Sequence, residues 1–552
     1  MAYRLKLIRA ALWGAAFAAI VAPALAEPRK DPTLIGDGVT RVRLTTPAAG
    51  SYDANFKVLA TADGFLVAWE NFNISARTYE VRSQRFKADG KPVKSFTTHQ
   101  KDIVGASWPT LVSLGDGRSG LIWKNGDKLK AAIIDDKTGK AKPPVAVVTN
   151  GAADVVHDLA LLKSGKVALV TRATDGAAEN TTLTILDADM KPAGQPKIIE
   201  TDVPGSPQEF EQAVIATGDG GVVFYLDSAG QIKGKPFDAA GVPGAEFPVS
   251  TTPMAVMDFS QKFDCRLKAK SLSDGAYVVS WNSQNVDVPY EIDVRARSFR
   301  ADGAPAGLDF IVNQDTVSNQ FSQEILALDS YYAITWQGRS KTFRNTQSFR
   351  FFENAGRAIS DDIARTFSGS IETEFARLGD GSFVEVFGGE GSLYAIGIPD
   401  PTIGSLRADA IKTGNAPKLI VASGGADSVK AGSGGDVIDG GDDADKIDGG
   451  EGADLIVPGG GNDAVTGGPG ADIFVFRPGG GSDVIKDFEA VDKIDAAQFH
   501  YGSASDVLAD ARQDGKDVVF TLSDHARPEL GTNVVRLKTY RVENLTTANV
   551  LF

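Results

Sequence analysis

The chain has 552 residues and a formal net charge of −14, and 42% of its residues are hydrophobic. That length fits two to four domains of ~100–200 residues each, and the apolar share supports packed cores, not a disordered chain. A single cysteine excludes an internal disulfide. The acidic balance argues against nucleic acid or an anionic membrane surface, since both reward a positive face, and leaves cations as natural partners.

Residues 1–26 read as a signal peptide. Arg4, Lys6 and Arg9 form a basic start and Ala10 to Pro23 a short apolar run. Ala24-Leu25-Ala26 then places small residues where a signal peptidase reads. The competing reading is an uncleaved membrane anchor, for which the run is short. No other apolar stretch approaches ~20 residues, so the mature chain is expected to lack a transmembrane span. The expected location is extracellular or at the cell surface, with the periplasm as the alternative. Cys265 reads as an inert buried thiol.

Residues 27–405 carry a repeat. An apolar run, a Gly turn and a second β-rich run recur as LATADGFLVAW (59–69), LVSLGDGRSGLIW (111–123) and LALLKSGKVALVT (159–171). Then follow VIATGDGGVVFYL (214–226), KSLSDGAYVVSW (270–281), ILALDSYYAITW (325–336) and FARLGDGSFVEVF (375–387). The phrases end at Trp69, Trp123, Thr171, Leu226, Trp281, Trp336 and Phe387. A spacing of roughly fifty residues with paired strands is a propeller-blade signature. Asp-Gly between apolar runs signals a hairpin. Alternation in VRSQRF and VRARSF suits half-buried antiparallel strands. Seven copies predict a seven-bladed β-propeller; two β-sandwiches are the rival. The terminal aromatics read as inter-blade packing in preference to a ligand cage. The blade phrase resembles a propeller-like repeat of large exported bacterial calcium-binding proteins.

Residues 406–422 read as a linker, and at 423 the composition changes. From 423 to 476 there are 16 Gly and 10 Asp, and six of the Asp keep a strict period of nine: Asp427, Asp436, Asp445, Asp454, Asp463 and Asp472. Two residues after each stands an apolar side chain (Val429, Ile438, Ile447, Ile456, Val465, Phe474). Two residues before stand Gly425, Gly434, Asp443, Gly452, Gly461 and Gly470. The pattern G-G-x-G-x-D-x-U-x is that of a calcium-binding parallel β-helix. Gly turns admit positive φ and aim carbonyl oxygens at one spot, Asp adds a hard anionic oxygen, and calcium takes six to eight such ligands. Two units make one coil, which puts Asp427, Asp445 and Asp463 on one edge and Asp436, Asp454 and Asp472 on the other. Ions between successive turns would number up to four. A flexible Gly/Asp linker is the rival, but linkers do not keep an apolar residue at every ninth position. Asp443 stands where a Gly is usual, and Asp tolerates left-handed backbone.

These six units resemble the RTX, or hemolysin-type, family of exported calcium-binding proteins. The text GGGSDVIKDFEAVDKIDAAQF (479–499) resembles the segment closing the β-roll of serralysin-type metalloproteases. The resemblance implies a parallel β-roll over 423–476, then a small mixed β end-cap over 477–552 in which Asp483, Asp487 and Asp492 could bind further calcium. The tail Val550-Leu551-Phe552 resembles a type I export signal, which conflicts with the N-terminal signal peptide and leaves two export routes open.

Enzyme motifs are not found. His99, His157, His500 and His525 are the four histidines, none in H-E-x-x-H. Asp102 with Asp116, or Glu209 with Glu211, are conceivable carboxylate pairs, but each reads as a solvated charge. The expectation is an all-β, exported protein that binds several Ca2+ ions through its roll and a protein or glycan through its propeller, in a surface, matrix or adhesion role. The alternative is an extracellular hydrolase or lyase, whose mark would be acidic residues or a His converging at the propeller channel.

Overall fold

The computed structural model describes residues 42–552 except 127, 148–151, 175–178, 203–211, 228, 252–266, 285–291, 315–318, 340–344, 368–372, 390 and 527. The expected signal peptide, Cys265, Glu209 and Glu211 lie outside the described residues. No helix among the described residues is long and apolar enough to cross a membrane.

Seven antiparallel four-stranded sheets form the propeller. Each repeated phrase is the inner hairpin of a blade: Ser51–Thr61 with Gly64–Asn73 in blade 1, and Thr373–Arg377 with Phe383–Gly389 in blade 7. The seven inner strands touch one another in a closed ring and so line the axis. The ring is closed by the chain's beginning, because Val42–Arg43 adds the outer strand of blade 7 through Val42↔Ala395. Trp69, Trp123, Trp281 and Trp336 are all buried, each within an inter-blade cluster. At fixed blade positions such rings fill the seam between neighbouring sheets, as the packing reading expected.

A parallel β-solenoid follows. Three-residue strands begin every nine residues from Pro401–Ile403 to Ile473–Val475 and alternate between two sheets. The stretch expected as a linker therefore holds two strands, Ala410–Lys412 and Leu419–Val421. Those coils keep the nine-residue rise with only sparse Gly and Asp, which is why composition hid them. The period also resumes after Phe476. Phe476 and Arg477 are a two-residue insertion, after which PGGGSDVIK (478–486) and DFEAVDKID (487–495) return to the frame; Ala464↔Val484 and Ile473↔Lys493 pair in register. Thr532–Leu537, Asp517–Ser523 and Ala511–Asp514 then extend one sheet as a mixed cap.

The central residue of each strand points inward, and Ile420, Val429, Ile438, Ile447, Ile456, Val465, Phe474, Ile485 and Ile494 stack into one buried file. The two sheets differ outside that file. One carries Ser428, Lys430, Lys446 and Asp448 on its outer face; the other carries Leu419, Val421, Val437, Leu455, Val457, Ile473 and Val475. The apolar face is buried against Leu326, Phe349, Phe351, Phe383 and Ile398 of blades 6 and 7. A polar latch borders it. Asp361 N–H donates to Asp439 Oδ2 at 2.9 Å, and Arg477 Nη1 reaches Asp361 Oδ2 and Gln314 Oε1, each at 3.2 Å.

Candidate calcium sites and the propeller axis

The solenoid turns stack closer than a side chain allows. Gly425, Gly434, Gly452 and Gly461 have φ of 96, 124, 140 and 134°, and Asp443 adopts 75°. A Cβ at Gly452 would lie 2.0 Å from Gly434 O, and one at Gly470 would lie 1.5 Å from Gly452 O. Glycine is thus required by close approach as much as by dihedral.

Each repeat Asp is held the same way. Its Oδ1 accepts the backbone N–H one coil earlier: Asp445 from Asp427, Asp454 from Asp436, Asp463 from Asp445 and Asp472 from Asp454, at 2.7–2.9 Å. Asp427 and Asp436 accept from Asp409 and Lys418. Across the insertion, Asp483 accepts from Asp463 and Asp492 from Asp472. The other oxygen is different. Oδ2 of Asp427, Asp436, Asp445, Asp454, Asp463, Asp472 and Asp483 is buried and has no hydrogen-bond partner. Asp492 and Asp487 depart from this: Glu489 N–H occupies Asp492 Oδ2, and Gly467 and Gly468 N–H occupy the two oxygens of Asp487.

Burial, and behind it the neighbouring carboxylates, push Asp445 and Asp472 up to about 8 and Asp436 to about 7. Such carboxylates stay charged only beside a cation or become protonated. Among the described residues no three His, Cys, Asp or Glu side chains converge on one point. A cation at these oxygens must therefore draw most of its donors from the main chain, as a hard ion of flexible coordination can.

A family model described as the RTX calcium-binding nonapeptide repeat matches residues 421–456 and 459–485, in four copies. These are RTX calcium-binding repeats. The match reaches past the insertion to Asp483, where the ladder of hydrogen bonds also continues.

Comparison with curated proteins finds no match. Solved structures similar to this chain include a protein of unknown function from Dyadobacter fermentans, with 12% identity, TM-score 0.35, and coverage of 60% of this chain and 99% of that one. The β-propeller domain of the Trilobed protease from Pyrococcus furiosus gives 10%, 0.36, 63% and 95%. A polysaccharide lyase described as an ulvan lyase gives 8%, 0.38, 65% and 96%. At such scores they bear on neither substrate nor activity.

The propeller axis holds a feature that sequence reading missed. At one register of the inner hairpins stand Lys57, Thr110, Asp158, Lys268, Glu324 and Glu374, opposite Ala68, Ile122, Val170, Ser280, Thr335 and Val386. Lys57 pairs with Glu374, and Lys268 Nζ lies 2.9 Å from Glu324 Oε1. Asp158 accepts the N–H of Leu159 and Val214. Burial raises the pKa of Asp158 and Glu374, opposed in both by the two lysines. The signal was available: each residue lies 12 or 13 positions before the end of its phrase. Asp116, away from the axis, pairs with Arg118, and Asp102 is exposed.

Proposed function

We propose that this is an exported calcium-binding protein whose RTX roll folds on binding several Ca2+ ions and whose propeller binds a glycan or protein partner in a surface, matrix or adhesion role. The observation that carries the calcium reading is the row of seven buried, unpartnered Asp Oδ2 atoms. Each uncompensated buried charge costs several kcal/mol, so the fold calls for cations along both edges. Asp427, Asp436, Asp445, Asp454, Asp463, Asp472 and Asp483 would hold them, with carbonyl oxygens of the Gly turns completing each shell; Asp487 and Asp492 brace the last coil. The ions would supply charge neutralisation, and binding energy would become folding energy. Extracellular modules bind calcium at roughly 10⁻⁴–10⁻³ M, so the roll would stay unfolded in the calcium-poor cytosol and fold after export. Circular dichroism of the full chain, titrated from excess chelator into calcium, tests this. A cooperative gain of β-signal is expected; a spectrum identical in chelator and in calcium would overturn it.

A second reading, an extracellular hydrolase or lyase, is favoured by the three carboxylates Asp158, Glu324 and Glu374 at the axis. Turnover of a polysaccharide that Glu374→Gln abolishes, with calcium-dependent folding intact, would select it.

A further inference from the structure

A cavity of about 190 Å³ opens in the seam between blades 1 and 2. Arg85 of the strand Thr78–Lys87 forms one wall, the turn at 138–140 of blade 2 another, and residues 94–97 the rim. Arg85, Lys94 and Lys140 line it, with no carboxylate, in a protein of net charge −14. Phe96 stands 46% exposed at the rim. The Arg82 guanidinium lies 4.5 Å from its ring centroid, and the Trp69 ring meets it edge-on.

Arg85 is out of pattern with the blades. In six blades an isolated bridge marks the same point of the third strand, at Phe86, Ile134, Leu186, Phe237, Phe299 and Phe352. The residue before it is Ile133, Ile185, Pro236, Ser298 or Phe351 in blades 2 to 6, and Arg85 in blade 1. Ile133, Ile185 and Phe351 pack in apolar clusters with the next blade, so the position is ordinarily uncharged. Arg85 is only 4% exposed, and its Nε has no acceptor. Its Nη2 meets Asp63, whose side chain is 74% exposed, and Asp136 is the other carboxylate acting on it. Two other third-strand arginines are spent on the main chain, Arg297 on Gly307 O and Val249 O and Arg350 on Ser360 O and Val312 O, while Arg295 faces the carboxylate of Asp309. Asp63 thus meets one edge of the Arg85 guanidinium from the solvent side and leaves the buried Nε–H unpaired, and a planar fork of five donors can take a second oxyanion, carboxylate or sulfate, beside the first.

We propose that this seam binds a carboxylate- or sulfate-bearing sugar unit of an acidic polysaccharide, with the oxyanion on Arg85, Lys94 and Lys140 and the C–H face of the sugar ring on Phe96. The proposal rests on the reading of the propeller as a glycan binder, and adds the charge class and the place. The volume is below the ~300–1,000 Å³ of a drug-sized pocket, so one unit enters and the chain runs along the open rim.

The test is calorimetry on the full-length, calcium-loaded protein with four probes: trigalacturonate, a sulfated galactan oligosaccharide, neutral galactotriose and inorganic sulfate. At least one acidic oligosaccharide should bind and weaken with added salt, and galactotriose should not bind. Lys94→Gln and Phe96→Ala alter exposed side chains, so the calcium-dependent circular dichroism should persist while affinity falls at least tenfold in each. Acidic binding untouched by both variants would move the site elsewhere and leave the glycan reading standing. No binding of any oligosaccharide would sink both. Sulfate binding as tightly as the oligosaccharides, with Phe96→Ala silent, would leave an anion site without a sugar and overturn the proposal.

Discussion

Truncating Ile456 to alanine measures how tightly calcium and folding are linked. The side chain is fully buried and lies in register between Ile438 and Phe474 of the neighbouring coils. Removing it costs the lost transfer energy plus a cavity, ~2–5 kcal/mol for a buried Ile. The interior file has one such residue per strand, so little can collapse into the gap. Where folding needs several ions bound together, the cost appears as a raised calcium midpoint, with ~1.4 kcal/mol per factor of ten shared among the ions. A cost of ~3 kcal/mol spread over four ions raises the midpoint between about three- and fourfold, and over seven ions about twofold. Divided into the stability cost of the same substitution measured in saturating calcium, the shift also counts the ions. Calcium titration of the full chain by far-ultraviolet circular dichroism reads it. Trp123→Ala is the control: it removes a fully buried ring between blades 1 and 2, at a comparable ~3–5 kcal/mol, far along the chain from the roll. An unmoved midpoint in Ile456→Ala, or an equal shift in Trp123→Ala, would refute the linkage.

Asp445→Asn should raise the calcium midpoint more than Asp427→Asn, because Asp445 lies between Asp427 and Asp463, whose Oδ2 atoms are both unpartnered, whereas the coil before Asp427 offers Asp409, whose Oδ2 already accepts from Ser405; the same titration compares them. Gly452→Ala places a methyl 2.0 Å from Gly434 O at a φ of 140°, so the roll should fail to gain β-signal at millimolar calcium. Arg477→Ala leaves Asp361 and Asp439 facing each other without their cation, and should cost ~3–5 kcal/mol, seen as a lower thermal midpoint in saturating calcium. Asp439→Asn should recover part of that loss in a double-mutant cycle.

Much of the architecture is legible because it is periodic. Seven inner hairpins announce themselves through Gly turns and terminal aromatics, and six nonapeptides through Asp and Gly at fixed spacing. The coils at 401–421 escaped because the solenoid needs its rise and inward side chain more than its ligands, so Lys418 can stand where Asp is usual. The units after Phe476 escaped because two inserted residues shift the frame. The docking face was visible as apolar residues on both sides of Ile420, Ile456 and Phe474, but only the central residue of each strand was weighed. The axial residues, like Arg85, become distinct only when blades are compared position by position, since a lone charge on a strand looks solvated.

The alternation of the roll's two outer faces has a consequence for how its length can change. The nonapeptides of Asp436, Asp454 and Asp472 present Leu, Val and Ile to the propeller, and those of Asp427 and Asp445 present Ser, Lys and Asp to water. Adding or deleting a single nonapeptide would exchange the faces of every later coil, turning Lys446 and Asp448 toward blades 6 and 7 and the apolar set outward. The sequence would still match the repeat pattern at every position, yet the protein would expose a greasy stripe and bury charges. Only steps of a whole coil preserve the contact, so the unit in which this roll can lengthen or shrink during descent is the eighteen-residue pair, although the unit in which its sequence pattern repeats is the single nonapeptide.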